Sequence, residues 1–204
     1  MLHFETVQPG LLELLKKLMD LESLKNYHLV GGTALALHIG HRLSIDIDLF
    51  GIEELDSDSL VADLSSLGEL KTLKLSKNIK IFELNTIKLD VVTYQYKLLK
   101  THLTDSSIRL VSKEDIGAMK LNAITGRGSR KDFIDLYFLL KIFSLKEMME
   151  FYLRKYPEGS EFLVYKSLVY FEDADKQPMP EMKFPAEWSE IKKLISTETN
   201  KFYS

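Results

Sequence analysis

Asp46 and Asp48 stand two residues apart in "SIDIDLF", residues 44–50, interleaved with Ile45, Ile47 and Leu49. The alternation predicts a strand, on which residues i and i+2 share a face and lie ~6.6–6.8 Å apart along the chain. Both carboxylates then point one way, while Ile45, Ile47 and Leu49 point into the core. Two like charges whose heads approach to ~4 Å repel by ~4 kcal/mol at an effective dielectric of roughly 20. A divalent cation removes that repulsion, and carboxylate oxygen is the ligand Mg²⁺ prefers. The plainer reading is a solvated strand face whose aspartates only add solubility. A third acid, Asp90, lies in "IKLDVVTY" between Leu89 and Val91, so alternation places it opposite those two. If the two strands are neighbours, the three carboxylates form a clamp of the two-metal kind used for in-line phosphoryl transfer.

The surroundings of Asp46 and Asp48 suit phosphate. Gly31 and Gly32 precede the short amphipathic run "TALALHI". Glycines let a phosphate approach the backbone, and the following helix N-terminus presents unsatisfied N–H groups and a positive dipole end. Thr33 and Ser44 are placed to add hydroxyl contacts, and Arg42, beside His41, to counter a triphosphate; for the glycines a plain turn, and for His41 a surface role, are the simpler accounts. A second informative stretch is "AMKLNAITGRGSRKDFIDLYFLLK", residues 118–141. Lys120 and Lys131 supply positive charge of the sort that stabilises a phosphoryl-transfer transition state. Asp132 and Asp135 are i, i+3 at a helix start, where the dipole favours carboxylates on structural grounds alone.

Elements must position these groups. Leu11, Leu14, Leu15 and Leu18 share a helical face over 10–24. "YHLV" reads as a strand, and residues 57–67 as a helix. "ELKTLKLS", "IKIFEL" and "IKLDVVTY" read as a three-stranded meander turned by "KN" and "NT". The second half is expected to be mostly helical. Ser112 with Asp115, Ser129 ahead of "RKDFIDLYFLLKIF", and Ser144 with Glu147 mark three starts. Residues 160–171 and "PAEWSEIKKLIST" read as further helices around the surface loop "DADKQPMPEM". The expected fold class is α+β: a small mixed sheet flanked by helices over residues 1–105, then a helical region over 106–204.

The 204 residues suit one domain, or one with an appendage, and 45% hydrophobic with 28% charged residues is ordinary for a globular chain. There are no cysteines, which excludes thiolate metal sites and disulfides. A net charge of −3 provides no global attraction to nucleic acid, so any such contact needs a local basic face. "MLHFETVQPG" lacks the regions of a secretory signal and no apolar run reaches membrane-span length, so a cytoplasmic protein with no membrane partner is expected.

A glycine pair, a helix, Asp-x-Asp on a strand and a third Asp on a later strand together resemble the nucleotidyltransferase superfamily, whose fold is that of DNA polymerase beta. "GGTALALHIGHRLSIDIDLF" is similar to its AbiEii-type branch, the toxins of certain toxin–antitoxin and phage abortive-infection pairs. The family's later motif, a Lys on one helix and Lys-Asp-x-x-Asp on the next, maps onto Lys120, Lys131, Asp132 and Asp135. The resemblance spans roughly residues 25–185; the chain is shorter than long AbiEii toxins and is expected to lack their extended C-terminal bundle. It implies a Mg²⁺- (or Mn²⁺-) dependent enzyme moving a nucleotide from an NTP to an acceptor, a tRNA end, another RNA or a protein hydroxyl, restrained by an antitoxin encoded nearby. Asp46 and Asp48 would hold the metals, Asp90 would hold the second metal or deprotonate the acceptor, and Gly31, Gly32 and Thr33 would cradle phosphates. Asp135 would orient Lys131 or Lys120, or serve as a base. Two rivals are an inactive fold of the same kind that binds nucleotide, RNA or a partner, and a metal phosphohydrolase. Five scattered histidines count against the second.

Overall fold

The computed structural model describes residues 1–203. Its chain divides into two compact units, Met1–Lys97 with Thr101–Val111, and Leu98–Lys100 with Ser112–Ser204. The expected boundary at 105 therefore moves to 111.

In the first unit the strands are β1 (Tyr27–Leu29), β2 (Ile47–Gly51), β3 (Leu70–Leu75), β4 (Ile79–Leu84), β5 (Ile87–Thr93), β6 (Leu103–Asp105) and β7 (Ile108–Leu110). Among the described residues they form one mixed sheet in the order β3-β4-β5-β2-β1-β7-β6. β3, β4 and β5 are the expected antiparallel meander; β5 runs parallel to β2, and β2 antiparallel to β1. Asn85 and Thr86 turn β4 into β5 with φ of 51° and 67°, the left-handed pair that two-residue hairpins require. Ser106 and Ser107 do the same, at 52° and 67°, between β6 and β7. That last hairpin occupies the stretch between the meander and the first expected helix, where the sequence pattern predicts no element. β7 docks parallel to β1, with Leu29 opposite Leu110, and Arg109 donates to the carbonyls of Met19, Leu24 and Tyr27 at 2.9–3.3 Å.

Three helices complete this unit: α1 (Pro9–Asp20), α2 (Gly31–Ile39) and α3 (Ser57–Ser65). The predicted leucine face of α1 is buried at Leu11, Leu14, Leu15 and Leu18. Pro9 begins that helix, where its missing N–H deprives no intrahelical bond.

The second unit holds α4 (Lys113–Gly126), α5 (Arg130–Leu139), α6 (Leu145–Lys155), α7 (Glu161–Leu168), α8 (Glu172–Asp175) and α9 (Trp188–Tyr203). The expected starts are present: Ser112 accepts from Asp115 N–H, and Ser129/Asp132 and Ser144/Glu147 form reciprocal capping boxes. Asp115 does more than cap. Fully buried, it accepts from the Leu99 and Lys100 N–H groups and from the Lys155 ammonium at 2.7 Å. No helix among the described residues is long and apolar enough to cross a membrane.

Candidate active site

β1, α2 and β2 surround Asp48 in the middle of the sheet. Leaving β1, the chain passes through Val30, whose N–H donates to the Asp48 carbonyl at 2.9 Å, and enters α2 at Gly31 with φ +69°. Only glycine suits that position. The backbone lies in the left-handed region, and an added Cβ would sit 2.3 Å from Asp48 Oδ2. The Asp48 carboxylate thus lies against the first residue of a helix whose N-terminus has no side-chain cap, where negative charge is favoured. Gly32 beside it is half-buried.

Asp48 faces Asp90. The two are Cα partners on the parallel strands β2 and β5, roughly 4.8 Å apart at the backbone. Alternation sends Ile47, Leu49, Leu89 and Val91 into the core, each no more than 1% exposed, and leaves Asp48 and Asp90 on the opposite face. Asp90 Oδ2 accepts from Lys88 Nζ at 2.8 Å, while Oδ1 is buried with no hydrogen-bond partner. Lys88 was not singled out from sequence, although its i−2 spacing from Asp90 already placed both on one face.

Asp46 departs from expectation. β2 begins at Ile47, not at Ser44, and Ile45 is 54% exposed rather than core. The physical cause is a competing set of bonds. Ser44 bridges Val7 in parallel, its N–H donates to the Thr6 carbonyl, and Thr33 donates to the Asp46 carbonyl. Residues 44–46 therefore leave the sheet before Asp46 can join the ladder. Among the described residues no three acidic or imidazole side chains stand close enough together to cage a metal ion. The anticipated trio exists as an in-register pair, Asp48 with Asp90, preceded by half-buried Asp46. The donors still fit a hard divalent cation: carboxylate oxygens, one of them orphaned and buried, beside a cradle that a Cβ would fill.

Three residues expected to meet phosphate are engaged elsewhere. Thr33 and Ser44 are buried with their hydroxyls 2.8 Å apart, fastening the segment that carries Asp46. Arg42 is only 2% exposed and donates to the Leu43 carbonyl at 3.0 Å.

In the helical unit, Asp132 and Asp135 are fully buried and both bind the Lys120 ammonium, at 3.0 and 2.6 Å. Arg127 forks onto Asp132 at 2.8 and 3.0 Å. The Ser129 hydroxyl donates to the same carboxylate at 2.6 Å. Burial alone would raise the Asp132 carboxyl, but Lys120, Arg127 and Ser129 together hold it well below the usual carboxylate range. Lys120, expected to touch phosphate, is 4% exposed and clamped between acids, whereas Lys131 is exposed.

Known proteins show the same plan. A family model described as nucleotidyl transferase AbiEii toxin, type IV TA system, matches residues 13–202. An uncharacterized protein of Aquifex aeolicus, aq_aa25, is 35% identical over 196 residues, covering 93% of this chain and 94% of that one. MenT4, a nucleotidyltransferase toxin of Mycobacterium tuberculosis, superposes with a TM-score of 0.60 at 11% identity, over 92% of this chain and 80% of its own. JHP933 of Helicobacter pylori gives 0.51 at 16% identity, over 97% and 96%. At such identities the two structures establish likeness of fold.

Proposed function

Because this chain belongs to the AbiEii nucleotidyltransferase toxin family, we propose that it transfers a nucleotide from an NTP to a hydroxyl of RNA, tRNA ends foremost. The observation that carries the reading is the in-register pairing of Asp48 with Asp90 beside the glycine-entered helix α2. Asp48 and Asp90 would hold Mg²⁺ or Mn²⁺, with Asp46 on the segment just ahead of β2. Such an ion, when bound, offsets the charge of the triphosphate and of the developing transition state.

The chain's own residues supply the remainder. Gly31 and Gly32 keep the entrance of α2 open to phosphate oxygens. The acceptor oxygen bonds to the α-phosphorus as its bond to the pyrophosphate oxygen breaks, and the hydroxyl proton passes to the Asp90 carboxylate. Thr33 and Ser44 hold the Asp46 segment in place. The meander brings charged side chains onto the face of the carboxylates. Lys74, Ile81, Asp90 and Asp48 lie in one cross-strand row, and Lys71, Glu83 and Lys88 in the next. Lys71, Lys74 and Lys88 are exposed, but Lys71 pairs with Glu83 and Lys88 with Asp90, each at 2.8 Å, so this face is charge-balanced and the RNA acceptor rests on the family likeness. The reading includes a cognate antitoxin, as the family's type IV description implies, and a cytoplasmic site of action.

The test is incubation of the protein with each α-labelled NTP and total tRNA, and in parallel with total protein. Label on tRNA with wild type, lost in Asp48→Asn, is the expected result. Label on protein alone would overturn the RNA acceptor, and equal labelling by Asp48→Asn would overturn the site.

A further inference from the structure

Three aromatic rings continue from the carboxylates along the open face of the sheet. Phe50 lies two residues beyond Asp48 on β2, hence on the same face. Tyr94 follows Asp90 and Val92 with the same parity, and its N–H donates to the Gly51 carbonyl, which keeps it beside β2. The Phe50 and Tyr94 ring centroids are 5.0 Å apart, and those of Tyr94 and Tyr96 are 5.1 Å apart. All three rings are half-buried, in contrast to the sealed aliphatic residues of the opposite face.

Building on the nucleotidyltransferase reading above, we infer that Phe50, Tyr94 and Tyr96 form a platform on which a nucleobase stacks while its phosphates lie toward Asp48 and Asp90. The spacing suits the task. Two strand residues cover ~6.8 Å, comparable to the reach from a nucleotide's phosphate to its base. The rings are mutually tilted, by 52° and 61°, so they do not cover one another face to face. Every base has a π-face, so aromatic platforms grip bases with little sequence demand.

The base can belong to the incoming NTP or to the end of the acceptor strand, and binding measurements separate the two. Dissociation constants are measured with Mg²⁺ for each NTP, for inorganic tripolyphosphate, for a short RNA, and for the same RNA with an abasic 3′ terminus. The proteins are wild type, Phe50→Leu, Tyr96→Ala, Tyr96→Phe and Asp48→Asn. Stacking predicts about tenfold weaker binding of one base-bearing ligand in Phe50→Leu and Tyr96→Ala, with its base-free counterpart unchanged and Tyr96→Phe close to wild type. Loss confined to NTPs assigns the platform to the incoming base, and loss confined to intact RNA assigns it to the acceptor. If both variants bind every ligand within twofold of wild type while Asp48→Asn loses tripolyphosphate, the platform is wrong and the phosphate site stands. If wild type binds none of the four ligands, platform and underlying reading fall together.

Discussion

Gly31→Ala isolates the fit on which the proposed site depends. The added methyl would stand 2.3 Å from Asp48 Oδ2, and real Cβ contacts do not fall below 3.0 Å, so the carboxylate must withdraw by at least about 0.7 Å. The methyl would also lie 3.1 Å from Asp48 Cγ, a tight approach, while Cβ at 3.4 Å is in ordinary contact, so the strain falls on the carboxylate end. Separately, φ of +69° costs a non-glycine residue about 1–2 kcal/mol. A carboxylate can rotate away, so most of the stability loss comes from the backbone. For a chain of this size, that is a fall in Tm of about 3–6 °C. Activity responds far more, because a misplacement near 1 Å at a reacting group reduces rates by about a hundredfold. Gly10→Ala, where a Cβ meets nothing within 4 Å, is the control and should leave both quantities unchanged. Thermal melts and the labelled-transfer rate are the assays. A Gly31→Ala protein with wild-type transfer would refute the placement of Asp48 against α2, whatever its Tm.

Asp132→Asn removes a fully buried charge from Lys120 and Arg127 and should destabilise by about 3–5 kcal/mol in urea unfolding. Because the folded pKa of Asp132 is depressed, its contribution is complete above the ordinary carboxylate pKa and disappears only as pH falls through the lower folded value. Wild type should therefore lose stability more steeply than Asp132→Asn on acidification below about pH 4, and parallel acid titrations of the two would contradict this. Lys155→Met leaves the buried Asp115 carboxylate without its cation and should cost about 3 kcal/mol; unchanged unfolding would show that the Ser112, Leu99 and Lys100 donors suffice. Lys88→Met removes the ammonium bound to Asp90, and its expected outcome is Mn²⁺ binding about threefold to tenfold tighter by titration; weaker binding would mean that Lys88 assists the metal instead of competing with it.

The helical half was legible in outline, because its signals are local, although α8 (Glu172–Asp175) overlaps the stretch read as a loop and α5 stops at Leu139 before the end of "RKDFIDLYFLLKIF". Ser129 and Ser144 each carry an acid three residues on, and both closed as capping boxes. The meander was legible from its period of two. The β6–β7 hairpin was not, since "DSSI" holds neither Asn nor Gly at its turn, yet Ser106 and Ser107 adopt positive φ. Its strands are three residues each, and the hairpin owes its place to the pairing of β7 with β1, a partner some eighty residues away. Ile45 failed for the same kind of reason: alternation predicts a face, and a bridge from Ser44 to Val7 ended the ladder first.

Sequence by itself determined the inventory of the site: which carboxylates exist and which glycines free the backbone beside them. Those properties follow from covalent spacing and backbone sterics, which any local stretch carries with it. Tertiary structure decided the pairings. It set Asp48 opposite Asp90 by making β5 the parallel neighbour of β2, laid that carboxylate over Gly31, and buried Lys120 between Asp132 and Asp135. Strand order and the burial of a cation depend on which surfaces exclude water together, and that is a property of the folded chain as a whole.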